Sequence, residues 1–290
     1  MEIRLENCVV REWDKVYCEL LKKILEEGEL FENRTGIDTL SIEGVYFKLD
    51  VGKEFPVLES KKVLLKNAVS EIQWIHQVQS NDVNWLEQRG NKIWNEWKID
   101  KDGVYRIYEP SGEYDPDKTV TLYDVDGKVM YEDSKPVQIK SIKEGKTIKA
   151  AKFFGKEYAG TIGTAYGWLN DKLKRPQQIE YSLKNNPHDR RMVLSLWQDE
   201  YIKTAVLPSC VWSVEFKVCN GKLNAFVHQR SADVPLGLPF NVSQYAILLA
   251  MFAKASGYEV GNLNWSIMDA HIYVNQIDGI KKQLSRYEKC

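Results

Sequence analysis

The sequence predicts an α/β or α+β sheet protein, in which long strands lie next to long helices. Three patterns support this class: alternating apolar residues over 39–49, a strong hairpin pattern over 211–230, and an apolar helical stretch over 241–256. With 290 residues, 43% of them hydrophobic, the chain can bury a sizeable core. It has no repeats and no low-complexity linker. We therefore predict a single domain over residues 1–290 that carries one inserted excursion at about 101–160.

The first elements follow from periodicity and from the residues that end each pattern. Apolar residues recur at helical spacing over 13–24, and Gly28 ends that helix. Alternation over 39–49 predicts a strand with one slip in its phase. Residues 63–76 predict a second, buried helix.

The later elements are denser in apolar residues. The segment MVLSLW, at 192–197, predicts a buried strand. Asn220-Gly221 suits the type I′ turn of a hairpin over 211–230. Gly257 ends the helix predicted over 241–256.

The excursion at about 101–160 differs from the rest in composition. It is rich in Lys, Asp, Gly and Tyr, and VTLYDVDGKVMYE predicts a hairpin around Asp126-Gly127. We interpret its lysines as a solvated face, with a phosphate- or polyglutamate-binding strip as the alternative. Gly145 disfavours a continuous helix there. These lysines are Lys140, Lys143, Lys146, Lys149, Lys152 and Lys156.

Charge and cysteine usage exclude several classes of function. The chain has 40 basic and 41 acidic residues, so any bound anion requires a local basic cluster. Its five cysteines are scattered, without a C-x-x-C pair or a zinc spacing, so we expect no metal and no disulfide framework. The N-terminal segment lacks the apolar run of a signal peptide, and no stretch approaches the length that spans a bilayer, so we expect neither a signal peptide nor a membrane-spanning segment. We expect a cytoplasmic protein without DNA or membrane partners.

The most informative stretch runs from Leu207 to Asn241 and contains LPSCV and then QRSADVPLGLPFN. A single cysteine is most often a small buried hydrophobe. Cys210 differs from such a cysteine in its predicted neighbour, because Arg230 lies on the opposite arm of the predicted hairpin. An arginine near a thiol favours the thiolate, which is the nucleophilic form. We therefore take Cys210 as the candidate nucleophile.

Taken together, the motifs resemble those of the thymidylate synthase family. Beside the two above, the chain has ENRTG, FPVLESKK, IWNEW, AYG, HDRR and DAHIYVNQ in the family's order. The resemblance covers nearly the whole chain outside the excursion. It implies an α+β, three-layer fold with a large mixed β-sheet and flanking helices. It also implies a symmetric homodimer in which Arg190 and Arg191 are shared across the interface.

The resemblance implies transfer of a one-carbon unit from the cosubstrate 5,10-methylenetetrahydrofolate to C5 of dUMP, giving dTMP and dihydrofolate. Cys210 would attack C6 of the uracil ring and make C5 nucleophilic. The implied catalytic residues are Cys210, Glu71, Tyr166, Arg230, Asp233 and Asn241. The implied substrate-binding residues are Arg34, Arg190, Arg191, Gln229, Ser231, Asn241, His271 and Tyr273. The implied folate-binding residues are Trp94, Trp97, Asp233 and Gly237.

We expect Asn241 to determine which base the site accepts. A side-chain amide offers a donor and an acceptor, which match O4 and N3–H of uracil, whereas cytosine reverses that pattern. Asn is also a good helix N-cap, and this second interpretation is compatible with the first.

Because the sequence departs from the family at several positions, it does not determine which product is formed. The family continues past the position of Cys290 to a tail that closes the site, whereas this sequence ends at SRYEKC. The pair Ile267-Met268 replaces a small, usually glycine-rich pair. A site without a lid would admit water, so a dUMP hydroxymethylase giving 5-hydroxymethyl-dUMP is the alternative. A non-catalytic nucleotide- or RNA-binding homologue is a third hypothesis.

Overall fold

The computed structural model describes residues 11–33, 35–109 and 113–287. The helices in these ranges are α1 (Glu12–Glu27), α2 (Leu65–His76), α3 (Val83–Glu87), α4 (Gly167–Leu173), α5 (Arg175–Asn185), α6 (Gly237–Ser256) and α7 (Ile277–Tyr287). The strands are β1 (Glu29–Phe31), β2 (Thr39–Asp50), β3 (Val104–Tyr108), β4 (Thr119–Tyr123), β5 (Tyr131–Glu132), β6 (Lys135–Pro136), β7 (Gln138–Lys140), β8 (Ile148–Phe153), β9 (Val193–Ser195), β10 (Val211–Cys219), β11 (Lys222–Asp233) and β12 (Glu259–Tyr273).

The chain forms two compact units. The first contains the described residues of Met1–Ile72, Lys174–Ser195 and Cys210–Cys290. The second contains those of Gln73–Leu173 and Leu196–Ser209, and therefore includes the lysine-rich excursion. The single-domain organisation stays a prediction.

The first unit is built on a six-stranded sheet with the order β1-β2-β12-β11-β10-β9. Strands β11 and β12 are parallel, and the other neighbouring pairs are antiparallel, so the sheet is mixed. Helix α6 packs on β11 and β12, while α1 packs on β2 and β12. The predicted α+β fold with a large mixed sheet and flanking helices is confirmed.

An aromatic core lies between this sheet and its helices. Phe47 stacks on Trp265 with ring centroids 6.1 Å apart, and Trp13 lies 5.2 Å from Phe47. The ring of Tyr245, from α6, meets Trp265 edge-on at 5.7 Å. Because side chains alternate along a strand, Tyr46, which precedes Phe47 in β2, points to the opposite face of the sheet. That residue is exposed.

Most predicted elements of this unit are confirmed within a few residues. Helix α1 ends at Glu27, and Gly28 follows it as predicted. Strand β2 pairs with β12 throughout, and Gly44, with φ of +65°, lies where its apolar residues change phase. Asn220 and Gly221 have φ of +51° and +74°, as the type I′ turn between β10 and β11 requires.

Helix α6 begins at Gly237 rather than at the predicted residue 241. Pro239 lies in its first turn, where the missing N–H would have had no intrahelical acceptor, so the proline does not delay the helix. Asn241 is therefore inside α6. The interpretation of Asn241 as an N-cap is wrong.

The second unit contains a four-stranded sheet with the order β3-β8-β4-β7, and β5 pairs with β6. The strands of the four-stranded sheet contribute a small buried core of Val104, Leu122, Ile148 and Ala151. The predicted turn at Asp126-Gly127 is confirmed, since the N–H of Asp124 donates to the carbonyl of Lys128 at 2.9 Å. The lysine-rich segment forms strands β7 and β8 rather than a helix, as Gly145 indicated. None of the described helices is long and apolar enough to cross a membrane.

Candidate active site

The β10–β11 hairpin places Cys210 beside Arg230, as the sequence predicted. The backbone N–H of Arg230 donates to the carbonyl of Cys210 at 2.9 Å. The register of the pair shifts between Val211 and Ser213, and such a bulge re-aims the neighbouring side chains. Nη2 of Arg230 then lies 3.8 Å from Sγ of Cys210. A guanidinium at this position favours the nucleophilic thiolate.

A chain of side-chain amides runs through the buried interior behind this hairpin. The indole N–H of Trp265 donates to Oε1 of Gln229 at 3.1 Å. Nε2 of Gln229 donates to Oδ1 of Asn241 at 3.2 Å, and Nδ2 of Asn241 donates to Oε1 of Gln244 at 3.2 Å. Nε2 of Gln244 donates to Oε2 of Glu71 at 2.5 Å. We call Gln229, Asn241 and Gln244 the amide relay; it joins three predicted site residues, Gln229, Asn241 and Glu71.

Glu71 lies on α2, in an apolar helix face, and is 9% exposed. The neighbouring Tyr245 is fully buried on α6. Burial, and then the charges of Glu71 and Cys210, raise the pKa of Tyr245, so this residue stays a neutral phenol.

A second polar cluster surrounds Asp269 on β12. Oγ of Ser41 donates to Oδ1 of Asp269 at 2.5 Å, and Oγ of Ser231 donates to Oδ2 at 2.9 Å. Nδ1 of His271 lies 3.2 Å from Oδ2. Burial opposes ionisation of Asp269, but these contacts outweigh it and hold its pKa at about 2. The predicted residues Ser231 and His271 thus meet on one carboxylate.

Asp233 and Gly237, both predicted to bind folate, lie side by side, and Gly237 adjoins Asn241. The N–H of Leu236 donates to Oδ1 of Asp233 at 3.1 Å, and Nε2 of Gln276 donates to Oδ2 at 3.3 Å. Burial raises the pKa of Asp233, and these two hydrogen bonds oppose it. A Cβ at Gly237 would lie 3.8 Å from Cβ of Asp233 and 4.0 Å from Oδ1 of Asn241.

A basic cavity of about 480 Å³ adjoins Gln276 and Leu236. The ammonium of Lys61 donates to the carbonyl of Pro235, and burial lowers the pKa of Lys61 while Asp233 opposes that shift. No sequence motif predicted this cavity. Its positively charged lining residues are Lys61, Lys62, Lys282 and Arg286.

The remaining predicted residues of the first unit lie at its surface or at the end of a strand. Arg190 and Arg191 are exposed just before β9, and Nε of Arg191 contacts Oδ1 of Asp189 at 2.9 Å. Tyr273 ends β12, with its ring 5.3 Å from that of His271. Arg34 lies outside the described residues.

The second unit holds the other three predicted residues. Trp94 and Tyr166 are buried and meet edge to face, with ring centroids 5.5 Å apart. Tyr166 has φ of +47°, which is uncommon for a bulky residue. Trp97 stacks on Tyr105 at 6.2 Å.

Comparison with known proteins identifies the family. The sequence model described as Thymidylate synthase matches residues 15–290. The thymidylate synthase of Clostridium beijerinckii is 35% identical over 274 residues, which cover 94% of this chain and 82% of that protein. The thymidylate synthase of Mycoplasma mobile is 36% identical over 276 residues, which cover 93% and 84%.

The chain belongs to the thymidylate synthase family. Membership confirms the predicted resemblance and the predicted enzyme class, a one-carbon transferase of the methyltransferase type. It also confirms the cosubstrate of the family, 5,10-methylenetetrahydrofolate. The roles of individual residues stay predictions.

Sequence reasoning missed Gln244 and Trp265, and it gave Asp269 no role of its own. One usable signal was present in NVSQYAILLAMFAKAS, where Ser243 and Gln244 interrupt an apolar helix. Buried polar groups are hydrogen-bonded, so a polar pair within such a helix indicates partners elsewhere in the fold. The identity of those partners, such as Glu71 for Gln244, depends on how segments distant in sequence pack together, which the sequence does not specify.

Proposed function

We propose that this protein transfers the one-carbon unit of 5,10-methylenetetrahydrofolate to C5 of dUMP and releases dTMP and dihydrofolate. The observation that carries the proposal is the approach of the Arg230 guanidinium to within 3.8 Å of Sγ of Cys210. Uracil is a poor carbon nucleophile. A thiolate that adds to C6 pushes the ring electrons toward O4 and makes C5 an enolate carbon, which is able to attack an electrophile.

The amide relay supports uracil as the base. A side-chain amide has two N–H donors and two acceptor lone pairs. Within the relay, Asn241 uses one donor toward Gln244 and one lone pair toward Gln229. One donor and one lone pair therefore remain for a ligand, and these suit O4 and N3–H of uracil.

The residues of the chain serve the steps after addition as well. Glu71 acts as the general acid or base of the site. Loss of the C5 proton expels the folate nitrogen from the transferred carbon. A hydride that adds to this carbon then expels the Cys210 thiolate from C6 and restores the ring double bond. The folate supplies the one-carbon unit and, in the final reduction, the hydride.

Side chains with positive charge or hydroxyl groups bind the phosphate and the ribose of dUMP. Arg230, Ser231 and Arg34 bind the phosphate, because guanidinium groups suit phosphate oxygens. His271 and Tyr273 bind the ribose.

Arg190 and Arg191 reach the phosphate of the partner subunit in a homodimer. Both side chains are exposed in one protomer, which supports this role. The exposed aromatic residues Tyr46 and Trp212 support an interface through the face of the sheet that the helices leave open.

Folate fits beside Asp233 and Gly237. Gly237 carries no side chain between Asp233 and Asn241, and Asp233 is a partly buried acceptor suited to the N–H groups of a pterin. The basic cavity around Lys61 suits the glutamate carboxylates at the other end of folate. Trp94, Trp97 and Tyr166 keep the roles that the sequence predicted for them, and the cytoplasmic location also stays a prediction.

One assay tests the proposal. The protein is incubated with dUMP and 5,10-methylenetetrahydrofolate, dihydrofolate is followed by absorbance, and the nucleotide is weighed by mass spectrometry. We expect a methyl product with equimolar dihydrofolate. A hydroxymethyl product without dihydrofolate would replace the proposal by a dUMP hydroxymethylase. Covalent capture of Cys210 by 5-fluoro-dUMP with the folate is expected; its absence would contradict both enzymes.

A further inference from the structure

We infer that Gln244 is a positioning residue that ties the base-recognising Asn241 to the carboxylate of Glu71 and determines which oxygen of Glu71 exchanges protons. The inference rests on the proposed function and deepens it. Nothing in the sequence motifs of the site points to Gln244. The contacts of its buried side chain do.

The direction of the amide relay is fixed from its first member. The indole N–H of Trp265 can only donate, so Gln229 turns its oxygen to Trp265 and its NH₂ toward Asn241. Asn241 must then accept from Gln229 and donate onward to Gln244. Gln244 consequently has its oxygen occupied, and its NH₂ is the group that faces Glu71.

The same direction is imposed at the other end. An ionised carboxylate only accepts, and Nε2 of Gln244 donates to Oε2 of Glu71 at 2.5 Å. Both Gln244, at 3% exposed, and Glu71, at 9%, are buried, so water does not readily replace this bond. A proton on Oε2 would point at an N–H that the relay cannot turn away. Protonation of Glu71 is therefore directed to Oε1.

Gln244 also limits what Asn241 offers to a base. It takes one of the two amide hydrogens of Asn241, which leaves one for the ligand. The residue that reads the base and the residue that moves the proton are thus connected by a single side chain. The titratable groups adjacent to this pair include Tyr245 on α6, which stays a neutral phenol, and Cys210, whose charge acts on Tyr245 together with that of Glu71.

Two substitutions separate the two contacts of Gln244. Gln244→Met keeps the volume and removes both hydrogen bonds. We expect KM for dUMP to rise about tenfold, because an amide hydrogen of Asn241 loses its acceptor. We also expect the acidic limb of the kcat–pH profile to move up by about one pH unit, because ionised Glu71 loses a buried hydrogen bond.

Gln244→Glu keeps an acceptor for Asn241 but places a second carboxylate next to Glu71. We expect KM for dUMP to stay near the wild-type value while the acidic limb moves to higher pH, since neighbouring carboxylates resist ionising together. A merely structural role would lower kcat in both variants with KM and the pH profile unchanged. Thermal unfolding of both variants is the control for folding. If Gln244→Glu does not fold, the result for Gln244→Met by itself tests the inference.

A second readout does not depend on turnover. The carboxyl carbon of Glu71 is titrated by NMR in ¹³C-glutamate-labelled protein without substrate, with Glu71→Gln to assign its signal. We expect its midpoint to move up by about one pH unit in Gln244→Met. An unchanged midpoint overturns the inference. If the wild-type protein does not convert dUMP, the proposed function fails, and this titration still decides the role of Gln244.

Discussion

Two regions of the molecule, the amide relay of the first unit and the lysine-rich strands of the second, place their polar side chains in opposite environments. In the first unit, Gln229 and Gln244 are each 3% exposed, and each side-chain amide both donates and accepts a hydrogen bond. In the second unit, Lys140 pairs with Asp117 at 3.5 Å, but the two side chains are 62% and 90% exposed. Both regions are rich in polar residues. The sequence predicted that the lysines form a solvated face, with a phosphate- or polyglutamate-binding strip as the alternative.

The difference teaches where substitutions have consequences. Leaving one buried hydrogen-bonding group unpaired costs about 1–3 kcal/mol. An exposed ion pair contributes about 0–1 kcal/mol, because water screens it and two long side chains lose freedom. The chemistry of this protein should therefore be sensitive to changes in the amide relay and the hairpin of Cys210, and insensitive to changes in the lysine-rich strands.

Cys210→Ser gives the largest expected effect. Loss of the thiolate should lower kcat/KM for dUMP by at least about 10⁴-fold, the scale seen when a catalytic nucleophile is removed. The measurement is dihydrofolate formation at saturating folate. Cys219→Ser is the matched control, because Cys219 is exposed at the far end of β10, the strand that begins directly after Cys210. Full turnover by Cys210→Ser would show that another group attacks C6.

Asn241→Asp should have the next largest effect. A carboxylate cannot donate to O4 of uracil or to Gln244, so kcat/KM for dUMP should fall by about 10²-fold or more. Turnover of dCMP should rise relative to dUMP, because cytosine presents a donor at that edge. Steady-state kinetics with both nucleotides measures this ratio, with the exposed Asn186→Asp as the control. An unchanged ratio would exclude Asn241 as the base-reading residue.

Much of the fold was accessible from the sequence, for local reasons. Gly28 and Gly257 end helices, and Asn220-Gly221 forms the predicted turn. Gly257, Asn220 and Gly221 have a positive φ, whereas Gly28 has a negative φ but leaves no room for a Cβ beside the carbonyl of Ile24. The start of α6 was misplaced, because proline is tolerated in a first helical turn and gives no boundary signal there. The parallel pairing of β11 with β12 depends on contacts distant in sequence, and no local pattern predicted it.

The candidate site was accessible only in part. Cys210 and Arg230 were predicted to be neighbours because one hairpin joins them, and the structure places them together. The contact of Gln244 with Glu71 joins residues 173 positions apart, on α6 and α2, and depends on how the two helices pack. The cluster on Asp269 likewise requires the registers of β2, β11 and β12 at once.

The substitution Asp269→Asn tests the polar contacts of the first unit through the pH dependence of the unfolding free energy. The pKa of Asp269 is about 2 in the folded protein, below the value of about 3.9 for a free aspartate. A lowered folded-state pKa adds stability that is present above the unfolded value and is lost as the pH falls toward 2. We expect the unfolding free energy of the wild type to drop between about pH 4 and pH 2 more steeply than that of Asp269→Asn. Equal slopes in urea unfolding at these pH values would show that this carboxylate is not held ionised by its contacts.

The smallest expected effect is in the lysine-rich strands of the second unit. The double substitution of Lys140→Ala and Lys149→Ala removes two exposed charges, and should change the unfolding free energy by no more than about 0.5 kcal/mol. KM for a polyglutamylated folate should also stay unchanged, because these lysines form a solvated face. Lys61→Ala is the matched control in the first unit, where the ammonium is half-buried beside Asp233, and there KM for the same folate should rise. The opposite result would be a higher KM of the double variant for the polyglutamylated folate, with an unchanged KM for the monoglutamate. That result would identify these strands as a polyglutamate-binding strip and would remove the contrast between the two regions.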